Sequence, residues 1–380
     1  MERLASLERA PCSPGEREAA EWIAERLREA GCRVRIESER VHGSFQWPLG
    51  VLAAAAAAGG IAALRGRRTL GALLGGLAAA CMWEDLGGGH RRPLRRLLPR
   101  APTPNVVAEA GDPAGERTLV IHAHHDAAHT SFIFDQRVPR FLWRVAPGLV
   151  GRLDRWPPPM ALVFGGPLLI ATGSLLGSRR SIRAGTVLAG GTAAVMGDMV
   201  RRPVVPGAND NLTAVAVLLE LARKLREQPP AGLRVLLVSM GAEESNQEGM
   251  IAFAGRHFGD LPPESTWFVC LDTVGSPELI LIEGEGFLRM RDYPEDVKSL
   301  VSECAREAGI HLRRGLRTTY ATDGLIPLRR SYPTASIASV NEWLVPSNYH
   351  WPTDTPDRVD YGTVASALAL TLRVVQRLAR

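Results

Sequence analysis

Four histidines and one carboxylate stand close together in the segment "IHAHHDAAHT", at the end of an apolar run. Imidazole nitrogens and carboxylate oxygens are typical metal ligands in proteins, so this segment is a candidate metal site. Because side chains alternate between the two faces of a strand, His124 and Asp126 share one face and His125 points to the other. We therefore expect His125 not to bind the same ion as His124. His122 is expected in the core, and His129 in the following loop.

Further carboxylates and one more histidine follow other apolar runs of the chain. In an open α/β sheet, ligands bind outside the carboxyl ends of the strands, which is where these side chains fall. Buried carboxylates that converge there repel one another unless a cation lies between them. The residues concerned are Asp210 in "PGAND", Glu243 and Glu244 in "GAEES", Asp272 after "TWFVCL", and His350 in "SNYHWPTDTPDR".

These residue types suit a pair of divalent metal ions. Three carboxylates and two histidines can hold two ions about 3.5–4 Å apart if one carboxylate bridges them. A water bound to zinc has a pKa of about 7 and becomes a nucleophile, and one of two adjacent carboxylates can then carry its proton. Taken singly, each residue has an ordinary explanation, such as a helix N-cap or a solvated turn. Their common place at strand ends favours the joint interpretation, a hydrolytic metal centre.

The elements that must position these side chains alternate between strands and helices. Strand-like runs cover 118–123, 234–240, 266–272, 278–284 and 334–340, and helix-like runs cover 15–30, 211–228, 294–309 and 360–379. This alternation predicts an α/β fold with a mainly parallel, mixed sheet flanked by helices. We expect residues 1–380 to form a single catalytic domain that is interrupted by two insertions.

Two apolar helical hairpins are predicted in these insertions. The uncharged runs are 41–64 and 69–83 for the first hairpin, and 156–178 and 184–197 for the second. A helix needs roughly 20 apolar residues to cross a bilayer, so the first run of each pair is long enough. The predicted bounds are 44–100 for the first insertion, with its hairpin at about 47–83, and 137–202 for the second, with an interfacial segment and a hairpin at about 157–200. Buried or interfacial helices of a soluble enzyme are the alternative.

Composition and charge favour a lipid bilayer as a partner of these hairpins. Trp47, Trp83 and Trp156 stand at the ends of the runs, where an aromatic belt would lie. The net charge is +5 and nearly all of the basic charge is arginine, much of it in clusters near the apolar runs, which favours lipid headgroups over nucleic acid. Fewer arginines lie at the hairpin tips than at the flanks, and the N-terminal segment lacks the apolar core of a signal peptide. We therefore predict a multi-pass membrane protein with a cytoplasmic catalytic domain, and five free cysteines.

The order of the polar motifs resembles that of the co-catalytic double-zinc aminopeptidases of the bacterial leucyl aminopeptidase type, whose relatives include glutamate carboxypeptidase and glutaminyl cyclase. The matching segments are "IHAHHD", "PGANDNLTAVAVLLELAR", "GAEES", "CLDTVG" and "YHWPTDTPDRVD", together with "RAPCSPGEREAAEWIAERLREAG" at the first helix. The likeness covers nearly all of the chain except 44–100 and 137–202. It implies a zinc aminopeptidase-like fold and a peptide or aminoacyl substrate that is cleaved at its N-terminus.

The resemblance also implies a set of metal ligands. Asp210 would bridge two metal ions, which are usually zinc in this family, although other divalent ions would fit. His124 and Asp272 would complete one metal site, and Glu244 and His350 the other.

Two further carboxylates take catalytic roles by the same resemblance. Glu243 would be the general base that takes a proton as the metal-bridging hydroxide attacks the scissile carbonyl, and would pass it to the leaving amine. Asp126 would lie behind His124 and orient it, as carboxylates behind metal-binding histidines do. Where many relatives have Ser-Asp-His, this chain has "ATDG" at 321–324, so the substrate pocket is expected to differ.

Other functions of the same fold are the alternatives. A glutaminyl cyclase-like single-zinc transferase would tend to lose the Asp-Asn pair that Asp210 and Asn211 preserve. A carboxypeptidase for acidic residues would need an arginine-lined pocket that the sequence does not reveal. A non-catalytic membrane receptor or scaffold would usually lose metal ligands, all of which this chain keeps. The oligomeric state is open.

Overall fold

The α/β part of the molecule alternates strands and helices, as the hydropathy pattern predicts. In the computed structural model, the described residues are 1–87, 92–146, 148 and 159–379. The strands are β1 Arg33–Val41, β2 Ala101–Gly111, β3 Arg117–His124, β4 Leu233–Met240, β5 Thr266–Leu271, β6 Glu278–Glu285, β7 Arg291–Asp292, β8 Arg313–Thr318 and β9 Thr334–Val340. The helices are α1 Glu2–Ala5, α2 Pro14–Glu29, α3 Gln46–Leu64, α4 Arg68–Leu86, α5 Pro93–Leu97, α6 Arg137–Val145, α7 Pro159–Leu176, α8 Arg179–Arg201, α9 Thr213–Glu227, α10 Glu248–His257, α11 Glu295–Glu307, α12 Leu325–Arg329 and α13 Tyr361–Leu378.

The strands form one mixed sheet in the order β1-β2-β4-β3-β5-β9-β6-β7, with β8 beside β6. The central strands β4, β3, β5 and β9 are parallel, whereas β1 and β2 on one side and β6 on the other join antiparallel. Strands in a covered parallel centre are apolar along their length, and β9 is buried throughout, while the edge strand β1 alternates charged and apolar residues. The predicted mixed α/β sheet is confirmed. Hydropathy missed β1, an edge strand rich in charged residues, and β2, an interior strand that begins with Pro102, Pro104 and Asn105 among its first five residues.

Helices cover both faces of the sheet. On one face, α2, α9, α11 and α13 bury residues such as Ile23, Leu221 and Leu370 against the strands. On the other face, α10 and α12 contribute Phe253 and Ile326 to a smaller core. Each fully buried aliphatic side chain contributes roughly 2 kcal/mol. The two cores fix the sheet rigidly, so the side chains at its carboxyl edge have defined starting points.

The helices α3, α4, α7 and α8 pack against one another and form a four-helix bundle with a hydrophobic core of its own. Small residues let these helices approach closely. A Cβ atom added to Gly75 in α4 would lie 2.8 Å from the carbonyl oxygen of Pro167 in α7, and one added to Gly173 in α7 would lie 2.9 Å from Ser181 in α8. The glycine spacing therefore serves contacts both within and between the two helix pairs.

The outer surface of the four-helix bundle is also apolar. Large aliphatic side chains project from all four of its helices, and the most exposed are Leu73 (65%), Leu77 (63%), Leu175 (76%), Leu176 (83%) and Val187 (74%). A helix that is apolar on all sides is typical either of a large protein core or of a membrane span.

Length and apolarity single out one helix among the described residues as able to cross a membrane, Gln46–Leu64, with Met160–Leu176 as a shorter apolar helix. The multi-pass arrangement expected from the sequence is therefore not supported. The second helix of the second pair, α8, carries arginines and Asp198 near its ends. The uncharged run 184–197, on which the prediction was based, does not include these charged residues. The part of the predicted interfacial segment that the structure describes forms the helix α6. Trp156 lies outside the described residues.

Candidate metal centre

Four of the predicted site residues leave neighbouring strands at one edge of the sheet. His124 is the last residue of β3, Glu243 and Glu244 follow β4, and Asp272 follows β5. Since β3 lies between β4 and β5 and runs parallel to both, the carboxyl ends of the three strands meet. The sheet thus brings together residues that lie up to 148 positions apart in the sequence.

The remaining two ligand candidates, Asp210 and His350, come from loops. Asp210 lies in an irregular turn, Ala208–Leu212, with non-helical backbone angles at Asp210 and Asn211. The regular helix begins only at Thr213, two residues later than the sequence pattern predicts. His350 lies in the loop that follows β9, the next parallel strand after β5.

Asp210 lies between the two histidines. Its Oδ1 atom is 3.1 Å from Nε2 of His124, and its Oδ2 atom is 3.2 Å from Nε2 of His350. The same nitrogen of His350 is 3.2 Å from Oε1 of Glu244. Ligand atoms of His124, Asp210 and Asp272 lie within 4.8 Å of one another, as do those of Asp210, Glu244 and His350. Two groups that share one carboxylate have the arrangement that a pair of ions requires.

Glu243 is also within reach of a metal ion. A third group with the same spacing consists of His124, Glu243 and Glu244. The distances alone therefore do not separate a ligand role from a base role for Glu243. Glu243 is partly exposed, as is the ligand candidate Asp272, so exposure does not separate the two roles either.

The charges of the site favour a bound cation. Without a cation, burial raises the pKa of Asp272 to about 7, and the nearby charge of Asp210 adds to this effect. Burial also raises the pKa of Glu243 well above its usual value. Burial opposes the charged form of His350, but Glu244 and Asp210 together raise its pKa to about 10. The protein alone would therefore bind protons to offset its clustered carboxylates. A metal ion replaces those protons.

Asp126 contacts the backbone more closely than it contacts His124. Its carboxylate accepts hydrogen bonds from the N–H groups of Glu243 at 3.1 Å and Glu244 at 2.9 Å. The Nδ1 atom of His124 lies 3.5 Å from Oδ1 of Asp126 and 3.3 Å from its carbonyl oxygen. The sequence predicts only the role behind His124, because the hydrogen bonds to the next strand depend on tertiary structure.

The loop that carries Glu243, residues 241–248, needs support from outside, and we call it the Glu243 loop. Ala242, Asn246 and Gln247 have φ angles of 49°, 74° and 62°, in the left-handed region that residues other than glycine seldom adopt. Such a backbone persists only where its surroundings hold it.

One support of the Glu243 loop comes from the end of the four-helix bundle. Arg95 in α5 donates to both carboxylate oxygens of Asp85 in α4, at 2.6 and 3.1 Å, and to the carbonyl of Ser245 at 2.7 Å. It also lies 3.2 Å from the carboxylate of Glu248, and Asn246 donates to the carbonyl of Asp85 at 2.9 Å. Arg95 and Asp85 are each 4% exposed. A buried, bidentate ion pair thus joins α4 to the Glu243 loop.

Asn211 positions Asp272 from the side of the irregular turn. Its side chain donates to the carbonyl of Leu271 at 3.0 Å and accepts from the N–H of Thr273 at 3.0 Å, so it binds the residues on both sides of Asp272. The sequence alone places Asn211 in a segment that matches the family but gives this residue no role. The hydrogen bonds explain why an asparagine, with both a donor and an acceptor, suits this position.

Two buried charged residues near the site are not predicted from the sequence. Asp354 accepts from the N–H groups of Asn209 at 2.8 Å and Asp210 at 3.1 Å, and burial raises its pKa to about 7. Both carboxylate oxygens of Asp323 are buried without a hydrogen-bond partner among the described residues, and burial raises its pKa well above its usual value. Asp323 lies within the altered "ATDG" segment, which is the one signal that pointed to it.

The other histidines of the opening segment lie outside the metal groups. His122 is buried, with its ring 6.1 Å from that of Phe268, and burial lowers its pKa to about 3. His125 lies with Nδ1 2.9 Å from Oγ of Ser239. His129 lies in the loop after β3 with Nδ1 2.8 Å from a backbone carbonyl. His124 is therefore the one member of the four that the structure brings to the ligand groups.

The chain is similar to known proteins in sequence family and in fold. Residues 194–375 match the model of peptidase family M28. This stretch holds Asp210, Glu243, Glu244, Asp272 and His350, whereas His124 lies before it. No curated protein matches the chain in sequence.

Solved structures of similar fold include a leucine aminopeptidase precursor from Bacteroides thetaiotaomicron (14% identity, TM-score 0.56, covering 98% of this chain and 93% of that one). A Zn-dependent exopeptidase from Parabacteroides distasonis is similar to the same degree (14% identity, TM-score 0.57, covering 98% of this chain and 94% of that one). So is a glutaminyl cyclase from Tannerella forsythia (14% identity, TM-score 0.58, covering 99% of this chain and 95% of that one). At this identity the likeness shows the fold. The resemblance to double-zinc aminopeptidases and their relatives is confirmed, and the fold and the matched family support a zinc metallopeptidase-like hydrolase.

The donor set fits zinc. Zinc accepts imidazole nitrogen and carboxylate oxygen, and each of the two ligand groups offers both types. The Oε1 atom of Glu244 is buried, and its near polar neighbour is Nε2 of His350 at 3.2 Å, a second ligand atom, as expected of an oxygen that shares a cation with that imidazole.

Proposed function

We propose that this protein is a zinc-dependent aminopeptidase that removes N-terminal residues from peptides. The observation that carries the proposal is the place of Asp210, with one carboxylate oxygen 3.1 Å from His124 and the other 3.2 Å from His350. Two zinc ions would be held by His124, Asp210, Glu244, Asp272 and His350. Bound zinc supplies a polarised carbonyl and a water of lowered pKa.

Glu243 serves as the general base in this proposal. Its carboxylate would take a proton from the attacking water and release it to the leaving amine. Asp126 fixes the backbone of Glu243 and of Glu244 through their N–H groups, so the base and one ligand keep their spacing. Tyr349, stacked on the ring of His350 at 3.9 Å, restricts the orientation of that imidazole.

A glutaminyl cyclase-like activity is the second candidate. Glutaminyl cyclases are among the solved structures of similar fold, at the same level of identity as the peptidases. The two activities differ in products, since a peptidase releases a free amino acid and a cyclase a cyclised N-terminus. Both would use residues of the same metal centre.

The four-helix bundle is proposed to associate with a lipid bilayer, with the catalytic domain on the cytoplasmic side. Support comes from the length and apolarity of Gln46–Leu64 and from the exposed leucines on the bundle surface. The helix α6 adds a second surface. It exposes Val138, Phe141 and Val145 beside arginines, the composition of a helix that lies in the headgroup region.

Metal analysis combined with a substrate panel tests the catalytic proposal. We expect about two zinc ions per chain, release of the first residue from aminoacyl amides and peptides, and no cleavage of N-acetylated controls. One zinc ion and cyclisation of N-terminal glutamine would favour the cyclase instead. No metal and no turnover of either substrate class would contradict both.

Flotation with liposomes tests the association with membranes. The purified full chain should rise with vesicles that contain anionic lipid. A chain that stays at the bottom of the gradient in the absence of detergent, while still monodisperse, would contradict the bilayer proposal and leave the catalytic one intact.

A further inference from the structure

The helix α6 is amphipathic, and its apolar side is turned away from the protein. Apolar residues at 138, 141, 142 and 145 and arginines at 137, 140 and 144 recur at helical spacing and occupy opposite sides. The exposed fractions are 59% for Val138, 62% for Phe141 and 60% for Val145. The guanidinium of Arg140, on the other side, lies over the ring of Trp343 at 4.6 Å. A helix on a soluble core has the reverse arrangement, so the apolar side of α6 is available to a partner outside the chain.

The charge beside this apolar side favours an anionic lipid surface as the partner. Three arginines and one aspartate give residues 135–145 a net charge of +2. A helix of this composition lies in the headgroup region, with its apolar side chains toward the acyl chains and its arginines near the phosphates. The exposed apolar surface of the four-helix bundle fits the same partner.

The segment that leads into α6 packs on one of the zinc ligands named above. The ring of Phe134 lies edge-on to that of His350, with 4.6 Å between the centroids. The side chain of Gln136 donates to the carbonyl of Pro346 at 2.8 Å and accepts from the N–H of Asn348 at 3.2 Å, so it binds the loop that carries His350. Phe134 precedes the first residue of α6 by three positions, a reach of at most roughly 11 Å. The metal centre therefore lies close to α6.

The base of the four-helix bundle also borders the metal centre. A cavity of about 290 Å³ is lined by Glu244 together with Trp47 of α3 and Val200 of α8. Trp47 is 55% exposed, and tryptophan is frequent at membrane interfaces. The same end of α8 is joined to the segment that leads into α6, because Ser131 donates to the carboxylate of Asp198 at 2.9 Å. The two surfaces that fit a lipid bilayer thus meet next to the metal centre.

We propose that the substrates are peptides held at an anionic lipid surface, and that the enzyme removes their N-terminal residues close to the headgroups. This inference rests on the proposed function and specifies the substrate class of the same site. With α6 and the base of the bundle on the lipid, the metal centre lies within a few residues of extended chain from the headgroups. A peptide anchored in the bilayer near its N-terminus can then reach it, whereas a distant site would require a long tether.

Peptides with tethers of different length test the inference. One N-terminal sequence is joined to a C-terminal lipid anchor by a spacer of about five residues, which reaches at most about 18 Å, or of about twenty, which reaches about 70 Å. The zinc-loaded full chain is mixed with vesicles that contain anionic lipid, and kcat/KM is measured. We expect the short tether to be cleaved at least as fast as the long one. Both should be cleaved at least about tenfold faster than the same peptide without an anchor.

Phe141→Asp tests the role of α6, because a carboxylate on its apolar side opposes contact with anionic lipid. Cleavage of the short-tether peptide should fall by about fivefold, while the unanchored peptide keeps the wild-type rate. Ile36→Asp, the same kind of change at an exposed residue of the edge strand β1, should keep both rates. Amide hydrogen exchange of residues 137–145 measures the contact without catalysis, and it should slow when vesicles are added.

Cleavage of the long tether alone, or equal rates for anchored and unanchored peptides, would overturn the inference and leave the peptidase activity intact. So would a Phe141→Asp protein with wild-type rates on the short tether. Exchange in 137–145 that slows with protein concentration instead of with vesicles would assign the apolar side of α6 to a second copy of the chain and overturn the lipid contact. If no peptide is cleaved in any form, the proposed function fails and the inference fails with it.

Discussion

The carboxyl edge of the sheet and the four-helix bundle are stabilised in opposite ways. At the sheet edge, directed hydrogen bonds hold each functional group, as when Asn211 binds both neighbours of Asp272. In the bundle, small residues and aliphatic side chains pack by shape, and apolar side chains cover the outside as well as the inside. Chemistry requires atoms at fixed distances, whereas helix packing tolerates exchange among residues of similar size. The Asp85–Arg95 pair joins the two regions.

The largest expected effect concerns Glu243, the proposed general base at the sheet edge. Glu243→Gln removes the proton acceptor but keeps the shape of the side chain, so peptidase activity should fall by about 10²–10⁴-fold. Metal content should stay at the wild-type value if Glu243 is a base. Loss of a metal ion in the variant, measured by elemental analysis, would assign Glu243 to the ligands instead.

The next effect tests the connection between the two regions. Asp85→Asn leaves the buried Arg95 with one fewer charged partner, so the free energy of unfolding should fall by about 1.5–3 kcal/mol. Because Arg95 also holds the carbonyl of Ser245, the zinc affinity of the site that contains Glu244 should fall as well.

Glu84→Gln is the matched control, since it makes the same change at the adjacent, partly exposed position. Thermal unfolding and zinc competition assays measure both effects. A variant of Asp85 that loses stability but keeps full zinc affinity would show that the bundle does not support the Glu243 loop.

A third effect should be confined to the bundle. Gly75→Ala places a Cβ atom 2.8 Å from backbone atoms of α7, and separating the helices should cost about 1–3 kcal/mol. Gly76→Ala adds the same atom where nothing lies within 4 Å, and should be neutral or stabilising by about 0.5–1 kcal/mol. Equal unfolding temperatures for the two variants would argue against the close contact between α4 and α7.

The smallest effect is the pH dependence of metal binding. Zinc binds the charged carboxylate of Asp272 and the neutral ring of His350, whose pKa values without a cation are raised to about 7 and about 10. Protons on His350 therefore compete with zinc below about pH 10, and a proton on Asp272 competes in addition below about pH 7. Affinity should fall with decreasing pH by about tenfold per unit for each proton displaced, and more steeply below pH 7. A slope that is constant from pH 6 to pH 8 would contradict this assignment.

The sequence by itself determined the mixed α/β fold and the identity of the residues at the strand ends. It could do so because apolar runs of strand length and the polar residues that follow them are local signals. His124, Asp126, Asp210, Glu243, Glu244, Asp272 and His350 were all predicted from such positions, and the structure brings them to one edge. The strands β1 and β2 were missed because β1, at the edge of the sheet, is rich in charged residues, and β2 begins with two prolines and Asn105.

Only the tertiary structure decided how these residues are held. The hydrogen bonds of Asp126 to the Glu243 loop and that of Arg95 to Ser245 join segments that are far apart in the chain, and no local pattern encodes them. The dependence on tertiary contacts also explains why the sequence predicts two separate hairpins where the structure has one bundle. Hydropathy reports how apolar a helix is, but only packing shows that all four helices share one core and leave an apolar surface outside it.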